Sequence, residues 1–574
     1  MISFLLVILG TLAAIVSLEA LASPTTGGSV YALPIVAALA FLHAWLLGRG
    51  GEPDRIAPAV RRRWGCVIAA VLLVLCAETL VRQTIAISAQ PLSIRGGAQL
   101  GALVQTSERI RIGGPVYEAP IPMAGYDTHP SAMPGLTIPF LAIRAQSLDW
   151  RIATLAAEAL AAALAIGALI ALTLRGAPIS VVAGVALGLG GFLLAPKLEG
   201  FAQWGITAPL WPLIGGLGIA LAYRKGWIAA VLAGLLASMS VGWMILYPVI
   251  AAVLWRDQKE RALLPIVVGA AIPIIAILTF RYEMFTMFTH VLGVPFLRAD
   301  PQAAGEIEPW LFPTLSGAAT AMKMGPPLFA WVLLFVGYSA KRIVSEPLAE
   351  RAIDRLALVG FVVVACGPAT FSFDYYSHVI LLGGLLSARW MWGANPETNA
   401  SPRSVILPWA AGLAALVLLL APVSYKIRKG NALALDRRET REQPAVELRM
   451  SGWLEPDADG RVMSDGKYAE VSFFLRRVKP CVIEVDLEVP GGEYTPYNPI
   501  TVRLNGRDCG EWIALPGQRF TCRIVADEPA MLIRGANVIS IEASWARSMK
   551  SLGIWNDARP TAFRYGGLKH SKLD

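Results

Sequence analysis

At 574 residues a soluble chain would divide into about four domains, but 55% of these residues are hydrophobic, 16% are charged and the mean hydropathy is +0.55. Soluble domains run near ~25% charged, so disorder, a fibrous repeat and a soluble enzyme are excluded together, leaving a polytopic membrane protein with an appended domain. The formal charge of +9, from 50 basic and 41 acidic residues, sits mostly in short loops between apolar runs, where it reports topology and not nucleic-acid binding.

Spanning helices need about 20 apolar residues. Thirteen are expected, over 2–22, 31–48, 64–81, 151–174, 178–195, 207–223, 227–240, 241–255, 262–280, 327–340, 356–372, 378–393 and 404–424. Ala20-Leu21-Ala22 resembles a signal-peptide cleavage site, but no basic n-region precedes it and a second apolar run follows, so the first segment reads as a helix. Basic residues in short loops mark the cytoplasmic side. Arg49, Arg55 and Arg61–Arg63 follow span two; Arg175, then Arg224 and Lys225, then Arg256, Lys259 and Arg261 follow spans four, six and eight. Lys341, Arg342, Arg351 and Arg355 follow span ten. All share one side if the N-terminus is cytoplasmic. Lys426, Arg428, Lys429, Arg437 and Arg438 dissent, after span thirteen, yet long terminal domains translocate largely regardless of charge.

In that topology the segments 82–150 and 281–326 face outward, and His129, His290 and His378 share their side. No phosphate-cradling loop is present, which removes the signal for ATP-driven transport. Residues 425–447 read as a charged linker, after which the apolar period changes to two. From Cys481 to Val489 the odd positions are apolar and Glu484, Asp486 and Glu488 alternate with them, a half-buried strand. Ile500 to Leu504 meets Asn505-Gly506, a strong hairpin signal. Runs at 469–475, 519–525 and 538–545 complete an all-β domain over 448–574, best matched by a jelly-roll sandwich. The fold class is thus a polytopic α-helical membrane domain, 1–424, followed by an all-β sandwich. Cys66, Cys76 and Cys366 fall in or near apolar segments as small core residues. Cys509 and Cys522, equidistant from Leu515-Pro516, would face each other across a hairpin and suit a disulfide outside the cytoplasm, with Cys481 free.

Gly113-Gly114-Pro115-Val116-Tyr117, followed by Tyr126-Asp127-Thr128-His129-Pro130, resembles the first outer loop of the GT-C superfamily of multi-span glycosyltransferases. The nearest likeness is to the polyprenyl-phosphate-mannose-type α-mannosyltransferase branch. Glu199-Gly200 with Gln203, and Phe371 to His378 including Asp374, resemble its "GQ" segment and its late outer turn, so the likeness spans roughly 78–395. Where the family carries an acid, eighteen positions before Tyr117, this chain has Gln99. Ser451 to Pro456, Ser464-Asp465-Gly466 and the stretch from Ser548 to Arg559 resemble a lectin-like jelly roll appended to bacterial envelope transferases.

The resemblance implies transfer of a sugar from a polyprenyl-phosphate donor to an envelope glycan or lipid acceptor. The setting is the outer face of a bacterial inner membrane, with the β-domain periplasmic and no nucleic-acid partner. Such transfer needs a carboxylate to take the acceptor proton and donors or cations for the leaving phosphate. Asp127, in a Tyr/His/Pro-rich loop, is the first candidate base, although an Asx turn is its plainer role. Glu78, four residues before Arg82, is the second, with an i,i+4 ion pair as its plainer role. Glu158 lies about two turns inside a span, where acids are costly and functional by default. Tyr126, His129, Glu158, Glu199, Gln203, Asp374, His378 and Arg82 are expected to contact substrate. A divalent metal ion is the one cofactor left open, and Asp457-Ala458-Asp459-Gly460 reads as a turn more readily than as its site. Tyr494, Tyr497 and Trp512 offer rings for sugar stacking or for the sandwich core. An O-antigen-type ligase or polymerase, and a non-catalytic carrier or glycan-binding scaffold, are the competing readings, and Gln99 speaks for the scaffold.

Overall fold

A computed structural model describes residues 57–89, 99–118, 121–123, 126–128, 130, 132–146, 148–193, 206–292, 325–366, 377, 379–393 and 407–421, and in the C-terminal part 448–449, 452–456, 462–475, 478–490, 497–515, 517–548 and 560–572. The chain forms two compact units. One comprises Met1–Gln83, Ser131–Leu136 and Thr154–Ser424; the other comprises Thr84–Pro130, Thr137–Ala153 and Tyr425–Asp574.

The helices in chain order are α1 (Pro58–Ala89), α2 (Gln99–Ile112), α3 (Pro134–Arg144), α4 (Arg151–Leu174) and α5 (Ile179–Leu193). Next come α6 (Leu210–Ala222), α7 (Gly226–Met239), α8 (Val241–Gln258), α9 (Leu263–Thr279) and α10 (Met284–Leu292). The last are α11 (Gly325–Val344), α12 (Ala349–Cys366), α13 (Val379–Gly393) and α14 (Leu407–Ala421).

Thirteen spans overcounts what helix length allows. Among the described residues four stretches are long and apolar enough to cross a membrane: Pro58–Ile85, Arg151–Leu174, Val241–Thr279 and Pro327–Val344. The third runs through predicted spans eight and nine, joined by a 3-10 turn at Lys259–Ala262. α6, α7 and α14 are apolar but short. The 13 residues of α6 reach only about 20 Å, against a hydrocarbon core of ~30 Å. Composition marks such Ala/Gly-rich runs as spans, whereas the backbone ends them early: Arg224 takes φ 54° just past α6. Expected spans 2–22 and 31–48, the 425–447 linker and residues 293–324 of the second outer segment lie outside the described residues.

Close crossings in the helical unit depend on glycine. A Cβ on Gly218 of α6 would stand 2.6 Å from Cα of Gly384 on α13, so these two backbones touch because neither carries a side chain.

The segment expected as an outer loop over 82–150 carries regular structure. α1 continues to Ala89, α2 and α3 are helical, and β1 (Ile121–Met123) pairs antiparallel with β2 (Tyr126–Thr128). Helix α2 escaped the hydropathy reading because its Gln105 to Arg111 stretch is polar.

The C-terminal strands are β3 (Leu448–Arg449), β4 (Trp453–Pro456), β5 (Val462–Ser464), β6 (Tyr468–Leu475), β7 (Cys481–Glu488) and β8 (Asn498–Leu504). They continue as β9 (Arg507–Ala514), β10 (Arg519–Ala526), β11 (Gly535–Ala543), β12 (Arg547–Ser548), β13 (Pro560–Thr561) and β14 (Arg564–Lys572). Two five-stranded sheets have the orders β10-β7-β14-β5-β4 and β3-β6-β11-β8-β9. Period two governs β7: Ile483, Val485 and Leu487 enter the core that both sheets share, while Glu484, Asp486 and Glu488 stay partly exposed. At the β8–β9 turn Asn505 and Gly506 take φ 52° and 86°, the left-handed pair that a two-residue hairpin requires. Buried Asn505 also donates to Asn537 Oδ1 at 2.9 Å and to the Met531 carbonyl at 2.9 Å, tying the turn to β11.

The expected Cys509–Cys522 hairpin is a correction. β9 pairs with β8 and β10 pairs with β7, so the two cysteines belong to different sheets. Adjacency in sequence suggested pairing, but the chain crosses from one sheet to the other between β9 and β10. Cys509 and Cys522 are both free thiols, and burial pushes them up to about 11 and about 12. We expect both to be alkylated in denatured, non-reduced protein, with the same mass gain before and after reduction. A mass gain that appears only after reduction would contradict this packing.

Candidate functional site

In the helical unit, α1 turns polar groups inward near its C-terminal end. Thr79 and Gln83, one turn apart, are 1% and 5% exposed. The Gln83 amide donates to Glu158 Oε2 on α4 at 2.9 Å, and Glu158 is itself 4% exposed. Thr79 returns its hydroxyl to the Leu75 carbonyl at 2.9 Å. A carboxylate this far inside an apolar helix is retained against a desolvation cost, and here it bridges the first and fourth helices. Glu78 faces a different direction and makes an i,i+4 ion pair with exposed Arg82. Glu78 and Arg82 thus take the plain helical pairing expected of their spacing, while Glu158 gains a partner from another helix.

The Gly113-Gly114-Pro115-Val116-Tyr117 motif has a structural role. Gly113, at φ 72°, ends α2 in the left-handed region, and the Gly113 and Gly114 amides donate to the Ile110 and Arg109 carbonyls at 3.3 and 3.1 Å. Val116 and Tyr117 then bury completely, at 2% and 0% exposure. This anchor leads into the β1–β2 hairpin, where Asp127 pairs with Pro122 and Tyr126 with Met123. Asp127 and Tyr126 therefore sit on the returning strand of a short ribbon. Their side chains, like His129, Glu199, Gln203, Asp374 and His378, lie outside the described residues, as do Asp457–Gly460 and Tyr494. Gln99 is the first residue of α2.

Sequence reading missed a buried polar constellation in the other unit, the one that contains Thr84–Pro130, Thr137–Ala153 and Tyr425–Asp574. Glu108 on α2 is 3% exposed and lies between two arginines: Arg111 Nε at 2.8 Å and Arg144 Nε at 3.5 Å. Arg144, 1% exposed at the end of α3, also donates to the Leu532 carbonyl at 2.8 Å and to the Ala530 carbonyl. Arg111 reaches Glu528 at 3.7 Å, and Arg507 of β9 holds the same carboxylate at 2.5 Å. Burial lowers the Arg144 guanidinium to about 10, offset by Glu108 and deepened by Arg111 and Arg507, so it stays charged at neutral pH. The Glu528 carboxyl is held below its usual range by the Arg507 hydrogen bond and charge. A signal was present: Glu108 and Arg111 are an i,i+3 pair in a helix otherwise buried by Leu100, Leu103 and Val104.

A second clamp fixes the entry to α4. Asp149 accepts from the Arg151 backbone amide at 2.9 Å and from its side chain at 2.8 Å, while Arg151 donates to the Ile87 carbonyl of α1 at 3.2 Å. Burial alone would raise the Asp149 carboxyl, but the Arg151 charge and hydrogen bonds hold it below the usual carboxylate range. Among the described residues no three His, Cys, Asp or Glu side chains come together as a metal site.

No protein-family model matches the chain. No curated protein matches it. Among solved structures, a family GH115 4-O-methyl-α-glucuronidase with specificity for decorated arabinogalactans aligns over 39% of this chain and 33% of its own length, at 9% identity and a TM-score of 0.16. A likeness at that level carries no argument about fold or activity.

Proposed function

We propose that this protein is a GT-C-type glycosyltransferase. It would transfer a sugar from a polyprenyl-phosphate donor to an envelope glycan or lipid acceptor at the outer face of the bacterial inner membrane. The observation that carries the reading is the Tyr126-Asp127 ribbon, which follows the buried Val116-Tyr117 anchor and precedes the α3 helix in an otherwise membrane-directed chain. Asp127 would act as general base. The acceptor hydroxyl gives its proton to the carboxylate and its oxygen bonds to the anomeric carbon. The bond from that carbon to the donor phosphate breaks, and polyprenyl phosphate leaves with the electron pair.

Supporting the appended-lectin part of the reading, the strand order is that of a jelly roll. β5, β14, β7 and β10 form one layer and β6, β11, β8 and β9 the other, as in two interlocked Greek keys. The clamp of Arg111 and Arg144 on Glu528, Ala530 and Leu532 supports placing this domain on the same face as the first outer loop. The basic cluster from Lys426 to Arg438 would then lie on that face too, as terminal-domain charges are free to do.

Purified full-length protein given a radiolabelled polyprenyl-phosphate sugar and an envelope glycan should produce labelled glycan, and a deletion strain should accumulate the lipid-linked donor. A second reading, a non-catalytic glycan-binding scaffold, is favoured by Gln99 in place of the family acid. Glycan binding without transfer from any polyprenyl-phosphate sugar would select it.

A further inference from the structure

Helix α9 sets a depth scale for the segment that follows it. The chain enters α9 from the basic turn Lys259–Ala262, and its 17 residues rise about 26 Å. A hydrocarbon core is ~30 Å thick, so α9 ends at Thr279 near the far boundary of that core, and the next residues fall in the headgroup layer. The exposed side of α9 is apolar along its length: Leu264, Val267, Ile274, Ile275 and Leu278 are each more than half exposed. That is the surface a helix turns to lipid.

Beyond Thr279 the backbone folds over tightly. The Phe280, Arg281 and Glu283 amides donate to the Ile277, Leu278 and Phe280 carbonyls at 2.9, 3.2 and 3.0 Å, and α10 begins at Met284. Met287 and Val291, one turn apart on α10, are buried, whereas Phe285 on the opposite side is 85% exposed. Tyr282 in the turn is also 85% exposed, and Met284 is exposed beside it. Arg281 is exposed as well; its guanidinium lies 4.7 Å from the centre of the Tyr282 ring and donates to the Tyr282 hydroxyl at 2.8 Å. Two aromatic rings, a methionine and an arginine thus stand on the open side of a five-residue stretch. Interfacial elements have this composition, with rings at the edge of the hydrocarbon and a cation among the phosphates.

We propose that residues 280–292 rest in the headgroup layer of the bilayer that α9 crosses. The Tyr282 and Phe285 rings lie at the hydrocarbon boundary and the Arg281 guanidinium lies on a phospholipid phosphate. Lipid is the occupant because the exposed rings continue the lipid-facing side of α9 within one turn, at the depth that the helix rise fixes. The leaflet is the outer one, since Lys259 and Arg261 mark the other end of α9 as cytoplasmic. This inference rests on α9 spanning a membrane and is independent of the transfer chemistry.

The test is power-saturation electron paramagnetic resonance on full-length protein in phosphatidylglycerol/phosphatidylethanolamine vesicles. The six native cysteines are replaced by alanine and a nitroxide is attached at Phe285→Cys. Oxygen, which concentrates in lipid, should relax this nitroxide more than a water-soluble nickel complex does, with the reverse order for a nitroxide at exposed Glu511→Cys. Adding Arg281→Glu should shift the residue 285 nitroxide toward nickel, while Arg281→Lys should leave it in place. A photoactivatable benzophenone at residue 285 of the otherwise unmodified chain should, on irradiation, add the mass of one phospholipid. Nickel access at residue 285 equal to that at residue 511 would overturn the proposal, because the ring would then face water. Protection from both relaxants would overturn it too, because protein would then cover the ring. An unshifted nitroxide in the Arg281→Glu variant would overturn the phosphate contact.

Discussion

Arg144→Ala should destabilise the unit that contains it by about 3–5 kcal/mol, the range for breaking a buried ion pair by removing one partner. Arg144 is 1% exposed and donates to two backbone carbonyls as well as facing Glu108, so its loss strands acceptors on both sides of the contact. Arg144→Lys should recover only part of the loss, because a single ammonium cannot reproduce the fork that spans Glu108 and the 530–532 carbonyls. Urea unfolding of the solubilised full-length chain, followed by limited proteolysis near residues 528–532, measures this. Combining Arg144→Ala with Glu108→Ala should cost less than the sum of the two, with a coupling of roughly 0.5–3 kcal/mol for groups in one network. A cost below ~0.5 kcal/mol, the level of an exposed pair, would mean that the clamp does not form.

Asp127→Asn should lower sugar transfer by roughly 10²–10⁴, the contribution of one general base, with membrane insertion and folded yield unchanged. The amide keeps the size and turn preference of the carboxylate but cannot accept the acceptor proton. Glu78→Gln should have a much smaller effect, because Glu78 is engaged with Arg82 on the same helix. Initial rates with purified protein and a polyprenyl-phosphate sugar decide between them. Full activity in the Asp127 variant would move the base to another acid, with outer-face Asp374 or the buried Glu158 next. A fall in folded yield without a fall in specific activity would leave Asp127 as a turn residue.

Local features were legible in the sequence. The alternation in β7 and the Asn505-Gly506 turn are governed by two or three neighbouring residues, and the β-rich C-terminal region follows from them. α4 was legible as a long apolar run broken only by Glu158 and a few polar residues near its ends. What failed depended on partners distant in sequence or on where helices stop. Arg144 meets a carbonyl 388 residues away, a distance over which no periodicity carries information. Cys509 and Cys522 are close in sequence but separated by a change of sheet. Span counting failed because composition cannot see that α6 ends after 13 residues. Of the candidate site, Glu158 was found by its cost inside an apolar helix, whereas its donor Gln83 was not, since a glutamine near a helix end carries no such signal.

The central claim is that the first outer loop and the β-domain share the membrane face opposite the basic loops. Labelling of intact spheroplasts with a membrane-impermeant maleimide tests it, using Glu511→Cys on exposed β9 and Lys225→Cys in an exposed basic loop, with the unmodified chain as baseline. The Glu511 variant should label before lysis and the Lys225 variant only after it. Labelling of the Lys225 variant in intact spheroplasts, with the Glu511 variant protected until lysis, would place the β-domain in the cytoplasm and contradict the account.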